Sequence, residues 1–187
     1  MYVLKSVLLL AALNFFLSSF VFSQKKTAGF SFEKYPVLKM YEGKKAVVNL
    51  KSSAVARNFR TEIKNQYKNA KIDFAGKYSM IFWGAGTGLT MGAMVDNSTG
   101  SVYELPLTEE NSARACWGSE VNTEDNILHN KKSTLFITWT CEIIKNETTN
   151  ENFITKAYSI FQWDETKKKF KLLKTKAEKT KEGITSE

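Results

Sequence analysis

Past residue 77 the chain alternates short apolar, β-branched and aromatic runs with clusters of turn-forming residues, and that spacing leaves few folds open. Residues 78–83 are aromatic and apolar and end at Gly84, Gly86 and Gly88. Residues 90–96 form the next run, closed by Asp96-Asn97-Ser98-Thr99-Gly100, the composition of a tight reversal. Residues 101–107 return as its hairpin partner, while 108–132 are polar and read as a loop anchored by Cys116 and Trp117. Residues 134–144, 153–163 and 170–173 read as three more strands, rich in β-branched and aromatic side chains.

Ahead of these strands one stretch has a different period. Val55, Phe59, Ile63 and Tyr67 recur every four residues, with Arg57, Arg60, Lys64 and Lys68 falling elsewhere. That is the pattern of an amphipathic helix with one buried stripe, and Ser52 or Ser53 can cap its start. Residues 46–50 suit a short strand before it. One helix near the mature N-terminus followed by at least six strands predicts an α+β, mostly β domain, with an antiparallel sheet or sandwich.

The N-terminus sets an expected compartment. Lys5 precedes an apolar run of about 16 residues, short of the roughly 20 a spanning helix needs. Val21 and Ser23 then make a small-residue cleavage site, leaving Gln24 first. The expectation is a signal peptide over 1–23 and a periplasmic or secreted protein with no membrane span after cleavage. Residues 24–45 read as a polar arm lying loosely on the domain, 46–173 as one globular domain, and 174–187 as a charged, flexible tail. In an oxidising compartment Cys116 and Cys141 are most simply one disulfide. It would close a loop of about 25 residues, worth roughly 3 kcal/mol in the chain-entropy account.

Residues 74–78 (Phe-Ala-Gly-Lys-Tyr), then Trp83-Gly84-Ala85-Gly86-Thr87-Gly88, Gly92-Ala93-Met94-Val95-Asp96 and Thr99-Gly100-Ser101-Val102-Tyr103 resemble an uncharacterised family of exported bacterial proteins. Phe59-Arg60-Thr61 stands where that family has its helix signature. The resemblance covers residues 46–173 and implies export; the family carries no assigned activity. Lys77 replaces the family's histidine, and Ala85 and Leu89 replace its two cysteines. Any chemistry those groups carry in relatives should be missing here.

Candidate sites each have a plainer reading. The glycine loop 84–88 could cradle an anion with its backbone N–H groups, but no Lys-Ser/Thr and helix follow, so a strand-to-strand turn is preferred. Asp96 reads as a turn aspartate rather than a metal ligand. His129 is the only histidine and reads as solvent-exposed in a loop, with no serine elbow to serve. Glu104, Glu142 and Asp164 are the carboxylates a glycosidase could use, if two of them stood across a cleft. Lys167, Lys168, Lys169, Lys171, Lys174, Lys176, Lys179 and Lys181 form the most basic stretch, interrupted by Glu178, with Glu165 before it and Glu182 after it. The formal charge of +8 predicts weak attraction to anionic surfaces, and export makes nucleic acid an unexpected partner. No metal or cofactor motif is present.

The leading expectation is therefore a non-enzymatic binding or accessory module, its ligand surface placed around Tyr78, Trp83, Gly84, Gly86 and Tyr103. The alternative is a carboxylate-dependent hydrolase of cell-wall or extracellular polysaccharide. A weaker third is an inhibitor of an acidic exported enzyme.

Overall fold

The computed structural model describes residues 27–86, 88–113, 125–149 and 151–181. The signal segment 1–23 lies outside them, and so do residues 114–124 of the polar loop with Cys116. The chain is mostly β, with two antiparallel sheets and few helices. The first sheet is a meander of β1 (Tyr78–Gly84), β2 (Thr90–Asp96) and β3 (Val102–Glu104). The second runs β4 (Ile127–His129), β5 (Leu135–Asn146), β6 (Glu151–Asp164) and β7 (Lys169–Lys181), each strand paired with the next. Cys141 lies on β5 opposite Lys156.

Strand alternation sorts the side chains into three apolar layers. On one face of the first sheet, Ile81, Ala93, Val95 and Val102 meet the helical segment. On its other face Tyr78, Met80 and Met94 meet Phe136, Phe161 and Trp163 of the second sheet, with Phe74 and Leu105 closing the gap. The far face of the second sheet carries Leu135, Ile137, Trp139, Tyr158 and Ile160. Phe30, Phe32 and Tyr35 from the N-terminal segment cover it. From the outside in, the order is helix, sheet, sheet, N-terminal coat.

Ser53 caps the helical segment, its hydroxyl accepting from the Ala56 N–H at 3.2 Å. Ser52 instead ties the helix start to β3, its hydroxyl accepting from the Val102 N–H at 2.9 Å. The predicted single helix is two, α1 (Ala54–Asn58) and α2 (Arg60–Asn69), because Phe59 leaves the helical region at φ −114°, ψ 32°. Its ring lies 4.7 Å from that of Trp83. Val55, Ile63 and Tyr67 still share the buried stripe.

Four other expectations change. Residues 46–50 form no strand: Ala46 donates to the Asn97 carbonyl and Asn49 to the Gly100 carbonyl, both on the β2–β3 turn. The arm is stitched down, not loose. Ser133 donates its hydroxyl to the Phe32 and Tyr35 carbonyls, and the Thr134 N–H bonds the Tyr35 carbonyl at 2.8 Å. The polar loop contains a short α3 (Glu109–Ser112), boxed by Thr108 and Asn111, as well as β4. Finally, the segment expected to fray from Lys174 continues β7 to Lys181, pairing with β6 as far as Phe153. Its lysines are the residues an edge strand carries to stay soluble, so composition disguised a strand as a tail.

Candidate functional site

The motif residues converge on a polar cluster between the sheets. Residues 74–77 make a turn that leads into β1, with the Tyr78 N–H returning to the Phe74 carbonyl. The Ala75 and Gly76 N–H groups bond the carbonyls of Ser133 and Lys131, fixing the turn to the second sheet. At the end of β2, Asp96 accepts from the Ser98 N–H at 2.8 Å and the Ser98 hydroxyl at 2.5 Å, as a turn aspartate should. Asn97 locks the two turns together: its side-chain amide donates to the Lys77 carbonyl at 2.9 Å and the Ser79 hydroxyl at 2.8 Å.

Lys77 then reaches across. Its ammonium lies 2.9 Å from Asp96 and 2.8 Å from Glu165, the first residue of the β6–β7 turn. Glu165 also accepts from the Tyr78 hydroxyl at 2.7 Å and the Trp163 indole N–H at 2.8 Å, and pairs with Lys168. The rings of Tyr78, Tyr103 and Trp163 stand edge to face around it, 5.4 to 6.0 Å apart.

Charge balance fixes the protonation states. Partial burial opposes ionisation of Glu165, but hydrogen bonds from Lys168, Lys77, Tyr78 and Trp163 outweigh it and lower its pKa to about 2. Burial also works against the Lys77 ammonium, and bonds to Glu165 and Asp96 reverse that and hold it well above the usual lysine value. Asp96 is likewise held low: burial would raise it, but Ser98 and Lys77 prevail. Burial and the bond to Glu165 push the Tyr78 phenol far up. All four groups thus sit away from the neutral range that acid–base catalysis uses.

This predicts an acid response. Between about pH 4.5 and 2 the unfolded chain protonates Glu165 while the folded one keeps it ionised, so folding stability falls as pH drops through that window. Glu165→Gln should flatten that part of the stability curve. Urea unfolding at pH 3 and pH 6 reads the difference, and an unchanged slope in the variant would refute the assignment.

The five residues expected to form one ligand surface are divided. Tyr78 is buried and Tyr103 is half-buried against Trp163. Trp83 points to the opposite face of β1, onto Phe59. Its indole N–H is buried without a hydrogen-bond partner among the described residues. Gly84 and Gly86 stand at the β1–β2 reversal, where the Ala85 N–H donates to the Leu89 carbonyl and the Leu89 N–H to the Gly86 carbonyl. His129 is not a solvent-exposed loop residue. It is half-buried on β4, between Phe74 and Phe82, with Nδ1 3.2 Å from the Asp73 carbonyl.

The carboxylates proposed from sequence do not converge. Glu142 and Asp164 lie opposite Thr155 and on β6 itself, nine residues apart, or about 30 Å along a strand. Glu104 is on the other sheet and faces away from Tyr103 and Trp163. Asp164 serves its own turn, accepting from the Thr166 and Lys167 N–H groups. Sequence reasoning missed Glu165, which reads there only as an acid at the head of the lysine run. Its place just after Trp163, at the mouth of a hairpin turn, is the signal that was present.

A separate open groove of about 510 Å³ lies where α3 leans on the second sheet. Ala157, Ser159, Thr175 and Ala177 form its floor, and Glu110 and Lys176 are its charged lining residues. Among the described residues no three His, Cys, Asp or Glu side chains are grouped as a metal site requires. No helix among them is long and apolar enough to cross a membrane. No protein-family model, curated protein or solved structure matches the chain.

Proposed function

We propose that the protein is an exported, non-enzymatic binding or accessory module. The observation that carries this reading is the Lys77 ammonium held between the carboxylates of Asp96 and Glu165. Asp96 and Glu165 both lie within about 3 Å of one ammonium, so the bonded oxygens are at most about 6 Å apart, a bound that admits the roughly 5–5.5 Å of a retaining glycosidase. That separation is what favours the hydrolase alternative. Such an enzyme needs one carboxyl kept protonated as the general acid. Here Lys77 stabilises both anions at once, and neither has a proton to give. Among the described residues, the groove beside α3 is lined by a single carboxylate, Glu110. Export rests on the charged, apolar and small-residue order of residues 1–23.

The test is a turnover screen of the purified protein against polysaccharide, ester and peptide substrates, with Glu165→Gln and Asp96→Asn as controls. The expected result is no turnover above blank for any of the three proteins. Activity in the parent that disappears in either variant would establish the hydrolase instead. The same preparation, isolated from producing cells, should begin at Gln24.

A further inference from the structure

The lysine run is better ordered than its sequence suggests. β7 is an edge strand: among the described residues it pairs with β6 alone. Its register slips by one residue at Ile160/Phe161, a β-bulge that leaves Leu173 as the extra residue. Lys169 and Lys171 are odd-numbered and Lys174 and Lys176 even-numbered, so an unbroken strand would set the two pairs on opposite faces. The bulge undoes this. The four lysines stand opposite Asp164, Gln162, Ile160 and Tyr158, which alternate regularly on β6 and therefore share a face. The result is a row of four lysines on alternate rungs, about 20 Å long. Lys176 is paired with Glu178, whereas Lys171 and Lys174 have no ion pair among the described residues. The other face of the same edge presents Leu172, which is 51% exposed, with Thr175 and Ala177.

The geometry points to β7 as a docking edge for an extended acidic segment of a protein partner, with Asp or Glu at alternate positions and apolar or small residues between them. This deepens the binding-module reading and rests on it. Two features select a polypeptide. An edge strand offers alternating unpaired N–H and C=O groups, and only another backbone satisfies both. A side-chain repeat of two residues also places each acid opposite one lysine of the row and each intervening residue over Leu172, Thr175 or Ala177. A second copy of this chain fits poorly, since two lysine rows would face each other.

A seven-residue peptide alternating Glu and Val, and a peptide of the same composition with its acids in one block, separate order from charge. Titrated into the full chain, the alternating peptide should bind about tenfold more tightly and protect β7 amides from hydrogen exchange. Lys171→Glu/Lys174→Glu should lose at least about tenfold in affinity while its thermal melt stays as in the parent. Equal affinity for the two peptides, unprotected β7 amides, or tighter binding to duplex DNA than to the peptide would overturn the inference. So would an absence of binding, and with a blank turnover screen the binding-module reading would survive that. Cleavage of the peptide would sink both.

Discussion

Lys77→Met is expected to destabilise the fold by about 3 kcal/mol, the scale seen when one member of a buried ion pair is removed. The reason lies with Asp96, whose side chain is 2% exposed and cannot recover water when the ammonium goes. Glu165, at 49% exposure, can turn outward, so it adds little to the loss. A second variant separates the stranded charge from lost packing. Asp96→Asn removes that charge and still accepts from the Ser98 N–H. The double variant Lys77→Met/Asp96→Asn should therefore be about 1–2 kcal/mol more stable than Lys77→Met alone. Urea unfolding at pH 7 measures all three. A loss below about 1 kcal/mol for Lys77→Met, or no rescue, would show that the cluster is solvated.

Gly100→Ala should cost at least as much, roughly 3 kcal/mol, for two reasons that add. Gly100 has φ +77°, where a Cβ brings a penalty of about 1–2 kcal/mol. That Cβ would also sit 2.0 Å from the Val47 carbonyl oxygen, which is backbone and cannot rotate aside. Gly86 is the matched comparison: it has φ +87°, but nothing lies within 4 Å of its Cβ position. Gly86→Ala should lose only the conformational part, about 1–2 kcal/mol. Equal losses at the two positions, read from thermal or urea unfolding, would remove the close approach of residues 47–49 as an explanation.

These two variants also mark where sequence reading works and where it stops. The 96–100 reversal is local: an aspartate, three small polar residues and a glycine define it, and the hairpin of β2 and β3 follows from it. The Lys77–Glu165 contact joins residues far apart in sequence, and nothing near either one announces the other. Length misled in the second sheet. Phe170 and Leu172 suggested a short strand, because β7 beyond them is an edge whose exposed lysines carry no apolar alternation. Residues 46–50 failed in the opposite sense. Val48 and Leu50 alternate inward as a strand would, onto the helix-side core, but the segment bonds the β2–β3 turn through Ala46 and Asn49 instead of forming a ladder.

The N-terminal coat has a consequence for the order of assembly. Each sheet is a meander in which every strand pairs with the next one in the chain, so its ladders can form as the strands are made. The coat is different. The carbonyls of Phe32 and Tyr35 wait for Ser133, separated from them by 101 and 98 residues. Made first, residues 27–37 have no surface to rest on until β5 and β6 exist. Their aromatic side chains stay uncovered through most of synthesis, and the far face of the second sheet is sealed last, by the earliest part of the domain.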